Sequence, residues 1–174
     1  MLPHRVLGID YSVTCPALCL TDGTTHSWWV NYKLSGKPYQ SLPQVVWSPS
    51  TTEGDIPRFI ELANWVISVV RTMQPTCIVL EDYAFGAAGR LTQLSENAGT
   101  LKVKLYEQCG HIPFHVVAPT TMKKFATGRG IATKDDIWAA FVKREPQTEG
   151  WAKVCHPKAL RIGSPVADIA DAYF

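Results

Sequence analysis

Four carboxylates in this 174-residue chain stand where a carboxylate is costly to place. Asp10 ends the apolar run Val6-Leu7-Gly8-Ile9, and Glu81 ends the run Cys77-Ile78-Val79-Leu80. Runs of this kind read as buried strands, and an acid at the end of one is expensive to desolvate unless a cation or hydrogen-bond donors meet it. Asp168 and Asp171 lie three residues apart in a segment of helical pattern, so they share one face, read as the exposed face of a short helix. Taken singly, a strand-end Asp is an ordinary turn or capping residue, and a pair of helix acids is an ordinary solvated face. Brought together, the four would form a strongly anionic pocket in which each raises the others' pKa unless divalent cations neutralise them. An all-oxygen ligand set suits Mg²⁺ or Mn²⁺ and not Zn²⁺. Two such ions about 3.5–4 Å apart can activate water on one side of a phosphodiester and stabilise the leaving oxygen on the other. The chemistry this pattern points to is metal-dependent phosphodiester hydrolysis.

A second group of residues would suit a polyanionic substrate. Residues 119–134 hold Lys123, Lys124, Arg129 and Lys134 with no acid among them, together with Gly128 and Gly130. Glycines let a backbone approach phosphates and basic side chains neutralise them, although a basic loop is by itself commonly just solvated. Charge is unevenly divided along the chain. Before Arg90 there are five basic and seven acidic residues, and from Arg90 onward twelve basic and eight acidic. An anionic partner is therefore expected to meet the second half.

The elements that must position these groups follow from periodicity. After the Asp10 strand, residues 17–20 and 27–34 read as two more strands joined by the hairpin signal Asp22-Gly23, giving an antiparallel meander. Residues 35–55 mix prolines, Gly36, serines and threonines without a period and read as a long loop. Phe59, Leu62, Ala63, Val66, Ile67 and Val70 recur at helical spacing, and the Glu81 strand follows. Leu91, Leu94, Ala98, Leu101 and Leu105 give a second helix, and residues 112–117 a fifth strand. Helices between strands imply parallel pairing by right-handed crossovers, so the expected architecture is a five-stranded mixed sheet flanked by helices. Thr133 and Asp136 have capping-box spacing ahead of a helix, residues 145–163 read as a loop, and Ser164-Pro165 reads as an N-cap followed by proline at the first helical position. The last apolar pattern runs to Phe174 without a cap signal, so the natural chain is expected to extend further.

Composition bounds the rest. With 46% hydrophobic and 18% charged residues, residues 1–174 are expected to form one globular domain. No apolar run is long enough to span a membrane and no signal-peptide pattern opens the chain, which leads to the expectation of a cytoplasmic protein without a membrane partner. Five scattered cysteines read as small buried hydrophobes, not disulfides, and Cys155-His156 lacks the second pair a zinc site needs. His111 and His115 read as structural, and Trp28, Trp29 and Trp47 as core or loop anchors.

In order and spacing, the motifs resemble the RuvC-type Holliday junction resolvases of the RNase H-like superfamily. The matching pieces are Gly8-Ile9-Asp10, Val79-Leu80-Glu81, residues 167–172 around Asp168 and Asp171, and the family's Lys, Gly, Gly, Ala, Lys pattern at Lys123, Gly128, Gly130, Ala132 and Lys134. The resemblance spans most of the chain. It implies an RNase H-like fold and a homodimer that binds four-way DNA junctions and related branched DNA and nicks two opposing strands symmetrically. It implies two Mg²⁺ or Mn²⁺ ions held by Asp10, Glu81, Asp168 and Asp171, and Lys123 and Lys134 on DNA phosphates; Asp10, expected at the sheet's centre, is the best candidate to bridge both ions. The helix of residues 91–107 is similar to the family's dimer-forming helix, although its apolar seam could equally be packed inside the monomer. The chain departs from the family where an aromatic residue often stands three positions after the glutamate: here it is Ala84, flanked by Tyr83 and Phe85, either of which could meet junction bases. The loop of residues 35–55 is a second departure, larger than the family leads one to expect; compact, diverged members of this kind resemble phage-like relatives, for which the location would be the host cytoplasm in place of the cell's own nucleoid.

Two other readings compete. Actin-like and sugar-kinase ATPases also open on a Gly-Ile-Asp strand, but they expect glycine two residues after the Asp, where this chain has Ser12. A catalytically dead junction-binding module would be weakened by four uncompensated acids beside phosphates.

Overall fold

The computed structural model describes residues 4–34, 42, 44–83, 90–158 and 161–174. Its centre is a six-stranded sheet in the order β4-β3-β2-β1-β5-β6. The strands are β1 (Val6–Asp10), β2 (Ala17–Thr21), β3 (His26–Lys33), β4 (Val45–Ser50), β5 (Cys77–Glu81) and β6 (Phe114–Val117). β1, β2 and β3 form the expected antiparallel meander, whose Asp22-Gly23 turn places glycine at φ 92°. β5 and β6 add in parallel beside β1. The architecture is therefore the mixed α/β sheet expected, with one strand more.

The additional strand, β4, falls within residues 35–55, which read as loop. Its run Val45-Val46-Trp47 is short and Pro49 interrupts it, which hides it from a periodicity test. It lies at the sheet edge in parallel with β3, where a proline that cannot donate a ladder hydrogen bond is tolerated.

Each strand sends alternate side chains to opposite faces. Leu7 and Ile9 of β1 and Ile78 and Leu80 of β5 join one core with the buried stripes of α1 (Asp55–Met73) and α2 (Leu91–Cys109). The apolar seam of α2, Ala98, Leu101 and Leu105, is thus packed inside the monomer against α1. On the other face, Ala17, Cys19, Trp28 and Val30 pack against α4 (Lys134–Arg144), α5 (Trp151–Cys155) and α6 (Val166–Tyr173). The Thr133–Asp136 capping box opens α4 as expected: Asp136 N–H donates to Thr133 Oγ1 at 3.2 Å and Thr133 N–H to Asp136 Oδ2 at 2.9 Å.

Three further expectations change. Residues 119–127 form a helix, α3 (Pro119–Thr127), where a basic loop was expected. Proline at the first turn starts it, Met122 and Ala126 are its buried face, and Gly128 at φ 81° ends it; the lysines on its outer face obscured that pattern. The loop of residues 145–163 contains a 3₁₀ turn (Pro146–Thr148) and α5, anchored by Trp151, whose ring meets Trp28 edge-on at 5.2 Å. Pro165, not Ser164, occupies the N-cap of α6. The Ser164 side chain is turned to Asp168 and its carbonyl meets the His156 ring, so its hydroxyl is not available to cap. All five cysteines are free, and among the described residues no helix is long and apolar enough to cross a membrane.

Candidate functional site

The alternation that buries Leu7 and Ile9 sends Gly8 and Asp10 to the α6 face. β1 pairs in parallel with β5 as Gly8 with Val79 and Ile9 with Leu80, and one further step sets Asp10 beside Glu81. The strand ends that looked anomalous in sequence are thus neighbours on one face. α6 then crosses directly above. A Cβ on Gly8 would collide with the backbone carbonyl of Ala172, so only glycine permits this approach. The close packing of helix on strand brings the acids of α6 onto the strand ends.

Asp10, Glu81 and Asp171 each offer an oxygen, and the three lie within 4.8 Å of one another. Asp168 is not one of these three but lies against Asp10. Its side chain is 5% exposed and its Oδ1 is 3.8 Å from Lys134 Nζ. Its Oδ2 has no hydrogen-bond partner among the described residues, although Ser164, the Cys15 thiol and Asp10 crowd the carboxylate. The face of α6 that carries these acids is therefore not the exposed surface expected: packing against β1, β2 and α4 leaves Asp168 buried.

The electrostatics follow from burial in company. Burial, then the Asp168, Glu81 and Asp171 carboxylates, push the Asp10 carboxyl well above its usual range. Burial and Asp171 raise Glu81 to about 7, against the opposing charges of Lys123 and Lys134. Burial raises Asp171 to about 6, Lys134 opposing. Asp168 is raised by burial, opposed by the Ser164 hydrogen bond and by Lys134. Four acids thus share two nearby ammonium groups, and the excess negative charge is what a divalent cation would neutralise. A donor set made of carboxylate oxygens fits Mg²⁺ or Mn²⁺.

The acids line a cleft of about 390 Å³ open to solvent, whose wall includes Tyr11, Ser12, Tyr83, Pro119, Lys123 and Lys134. Lys124 is exposed on α3 and Arg129 just beyond it, and neither lines the cleft; Arg129 is paired with Asp136 at 3.3 Å. Phe85 lies outside the described residues. Sequence reasoning missed Asp82, which lines the cleft and is paired with Lys102 of α2 at 3.5 Å, Lys102 also standing 5.7 Å from the Tyr83 ring centroid. Adjacency to Glu81 was a usable signal for Asp82; nothing in the spacing pointed to Lys102. It also missed Cys15, a buried thiol against Asp168 that reads in sequence as an ordinary small hydrophobe.

No protein-family model matches this sequence, and no curated protein matches it. Solved structures do. The Thermus thermophilus RuvC structure aligns at 19% identity and TM-score 0.57 over 97% of this chain and 90% of that one. T. thermophilus RuvC in complex with Holliday junction substrate aligns at 19% identity and TM-score 0.59 over the same shares. The yeast mitochondrial Holliday junction resolvase Ydc2 aligns at 15% identity and TM-score 0.56, over 98% of this chain and 75% of that one. The fold of this chain is accordingly the fold of RuvC, with the strand-end and helix carboxylates gathered on one face of its sheet.

Proposed function

We propose that this chain is a metal-dependent endonuclease that resolves four-way DNA junctions, and related branched DNA, by phosphodiester hydrolysis. The observation that carries the reading is the convergence of Asp10, Glu81 and Asp171 within 4.8 Å at the floor of an open cleft edged by Lys123 and Lys134. It stands on a fold shared with resolvase structures, one of them in complex with Holliday junction substrate. Asp10, Glu81 and Asp171, with Asp168 beside them, would hold two Mg²⁺ or Mn²⁺ ions, and Asp10, which faces the charges of all three others, would be the central ligand. The chemistry such ions supply is activation of the attacking water and charge stabilisation at the scissile phosphate. Lys134 opposes the upward push that burial gives Asp168 and, with Lys123, faces the DNA backbone. Lys124 and Arg129 extend that contact, and Tyr83 meets bases at the branch point, with Phe85 the neighbouring aromatic.

Residues 1–174 act as one nuclease domain in the cytoplasm, at the nucleoid or in a phage host. Symmetric nicking requires two such domains. With the α2 seam buried on α1, the homodimer uses the opposite face of that helix, where Val103 is 57% and Tyr106 84% exposed.

The deciding experiment incubates purified protein with synthetic four-way, three-way, flap and linear DNA in Mg²⁺ or Mn²⁺. Four-way junctions are cut in preference, and Asp10→Asn binds them without cutting. Cutting by Asp10→Asn at the wild-type rate would sink the mechanism, and metal-independent binding without cutting by the wild type would favour a non-catalytic junction-binding module.

A further inference from the structure

Beyond α4, whose last turn carries Lys143 and Arg144, the basic residues that the site does not use are Lys153 on α5 and Lys158 and Arg161 before α6. All three are exposed, and none is paired with a carboxylate among the described residues. Across residues 146–163 the one acid is Glu149. Lys153 and Arg161 line a shallow hollow of about 270 Å³ together with His156 and Asp135. The Asp135 carboxylate is engaged there, accepting the Ile162 N–H at 3.0 Å. That bond ties Ile162, next to Arg161, to the first turn of α4. Asp135 is in the first turn of α4, one residue from Lys134, whose Nζ stands at the acidic cluster. The start of α4 thus meets basic residues of two segments: Lys123 in the cleft with Lys134 and Arg129 on Asp136, and Lys153 and Arg161 in the hollow with Asp135, Lys158 being close to both in sequence.

We propose that Lys153, Lys158 and Arg161 form a second DNA-backbone contact, apart from that of α3, which holds the duplex arm continuing away from the scissile phosphate. The inference rests on the reading of this protein as a junction nuclease. Its physical basis is that a nuclease must fix the substrate on both sides of the bond it cuts. Unpaired exposed cations are suited to phosphates, since each phosphate they neutralise releases counterions. The α5 anchor Trp151, buried against Trp28, ties the surface to the core that also carries α6.

The test measures junction affinity against salt for wild type and for Lys153→Ala/Lys158→Ala/Arg161→Ala, on junctions with long arms and on junctions whose arms are cut to a few base pairs. On long arms the slope of log K against log salt falls by about 2–3, at roughly 0.9 for each phosphate the variant no longer neutralises. Between about 50 and 200 mM salt, the wild type accordingly loses about 40-fold more affinity than the variant. On short arms the difference between the two proteins vanishes. The charge-preserving variant Lys153→Arg/Lys158→Arg/Arg161→Lys keeps the wild-type slope, which separates loss of charge from damage to the fold. An unchanged slope in the triple alanine variant, or a difference of the same size on short arms, overturns the inference while leaving the nuclease reading intact. Wild-type protein that binds no junction removes both.

Discussion

Replacing Glu81 by glutamine should stabilise the metal-free protein while destroying its use of metal. The substitution keeps the shape of the side chain and deletes one of the three clustered negative charges. Glu81 is raised from 4.5 to about 7, burial being the largest cause and Asp171 the next. At roughly 1.4 kcal/mol per pH unit, holding it ionised costs the fold about 3 kcal/mol, which water in the open cleft reduces to about 1–2 kcal/mol. The sign follows from proton binding: between about 4.5 and 7 the folded chain keeps a proton that the unfolded chain has lost, so stability falls as pH rises through that window. For a chain of this size about 1–2 kcal/mol corresponds to roughly 3–6 °C in Tm. Thermal melts in a chelator are therefore expected to show Glu81→Gln above wild type by that amount near pH 8 and level with it near pH 4.5. Adding Mg²⁺ or Mn²⁺ should raise the wild type and reverse the order, because cations bind the folded wild-type cluster and leave the variant nearly unmoved. A Glu81→Gln protein that melts at or below wild type near pH 8 in chelator would refute the account of the cluster as a charge held under repulsion.

Three other outcomes are expected. Gly8→Ala drives a methyl into the Ala172 carbonyl and should lower stability by about 1–3 kcal/mol, with junction cleavage falling further than Tm because α6 carries two of the acids; unchanged melting would show that the helix does not press on β1. Lys123→Ala with Lys134→Ala should flatten the salt dependence of junction binding by about 2, read from affinities at several salt concentrations, and an unchanged slope would remove both from the interface. Val103→Asp with Tyr106→Asp should leave the monomer's stability within about 1 kcal/mol of wild type, since both are surface positions, and abolish dimers in sedimentation; a dimer that persists places the interface elsewhere.

Much of the fold could be read directly from residue order. The strand-end acids were visible because Val6 to Ile9 and Cys77 to Leu80 are too apolar to be anything but buried, and a charge at the end of a buried run is conspicuous without any knowledge of its neighbours. The meander, α1, the α2 seam and the α4 capping box were likewise local patterns. What local pattern does not contain is which surfaces meet. β4 is a strand because the edge of β3 is available to pair with it, α3 is a helix despite its charges because Met122 and Ala126 have a core to enter, and α5 exists because Trp151 finds Trp28. Residues nearly 160 positions apart become one site through two facts of packing: the parallel register that sets Asp10 beside Glu81, and the absence of a side chain at Gly8 that lets α6 lie on the sheet. The tertiary structure alone shows that Asp168 is buried between Asp10 and Lys134 while the other three acids face one another. The sequence determined which groups bring charge and oxygen donors, since residue type sets both; only the packing of α6 on β1 decided their distances, and with them how strongly the acids repel one another.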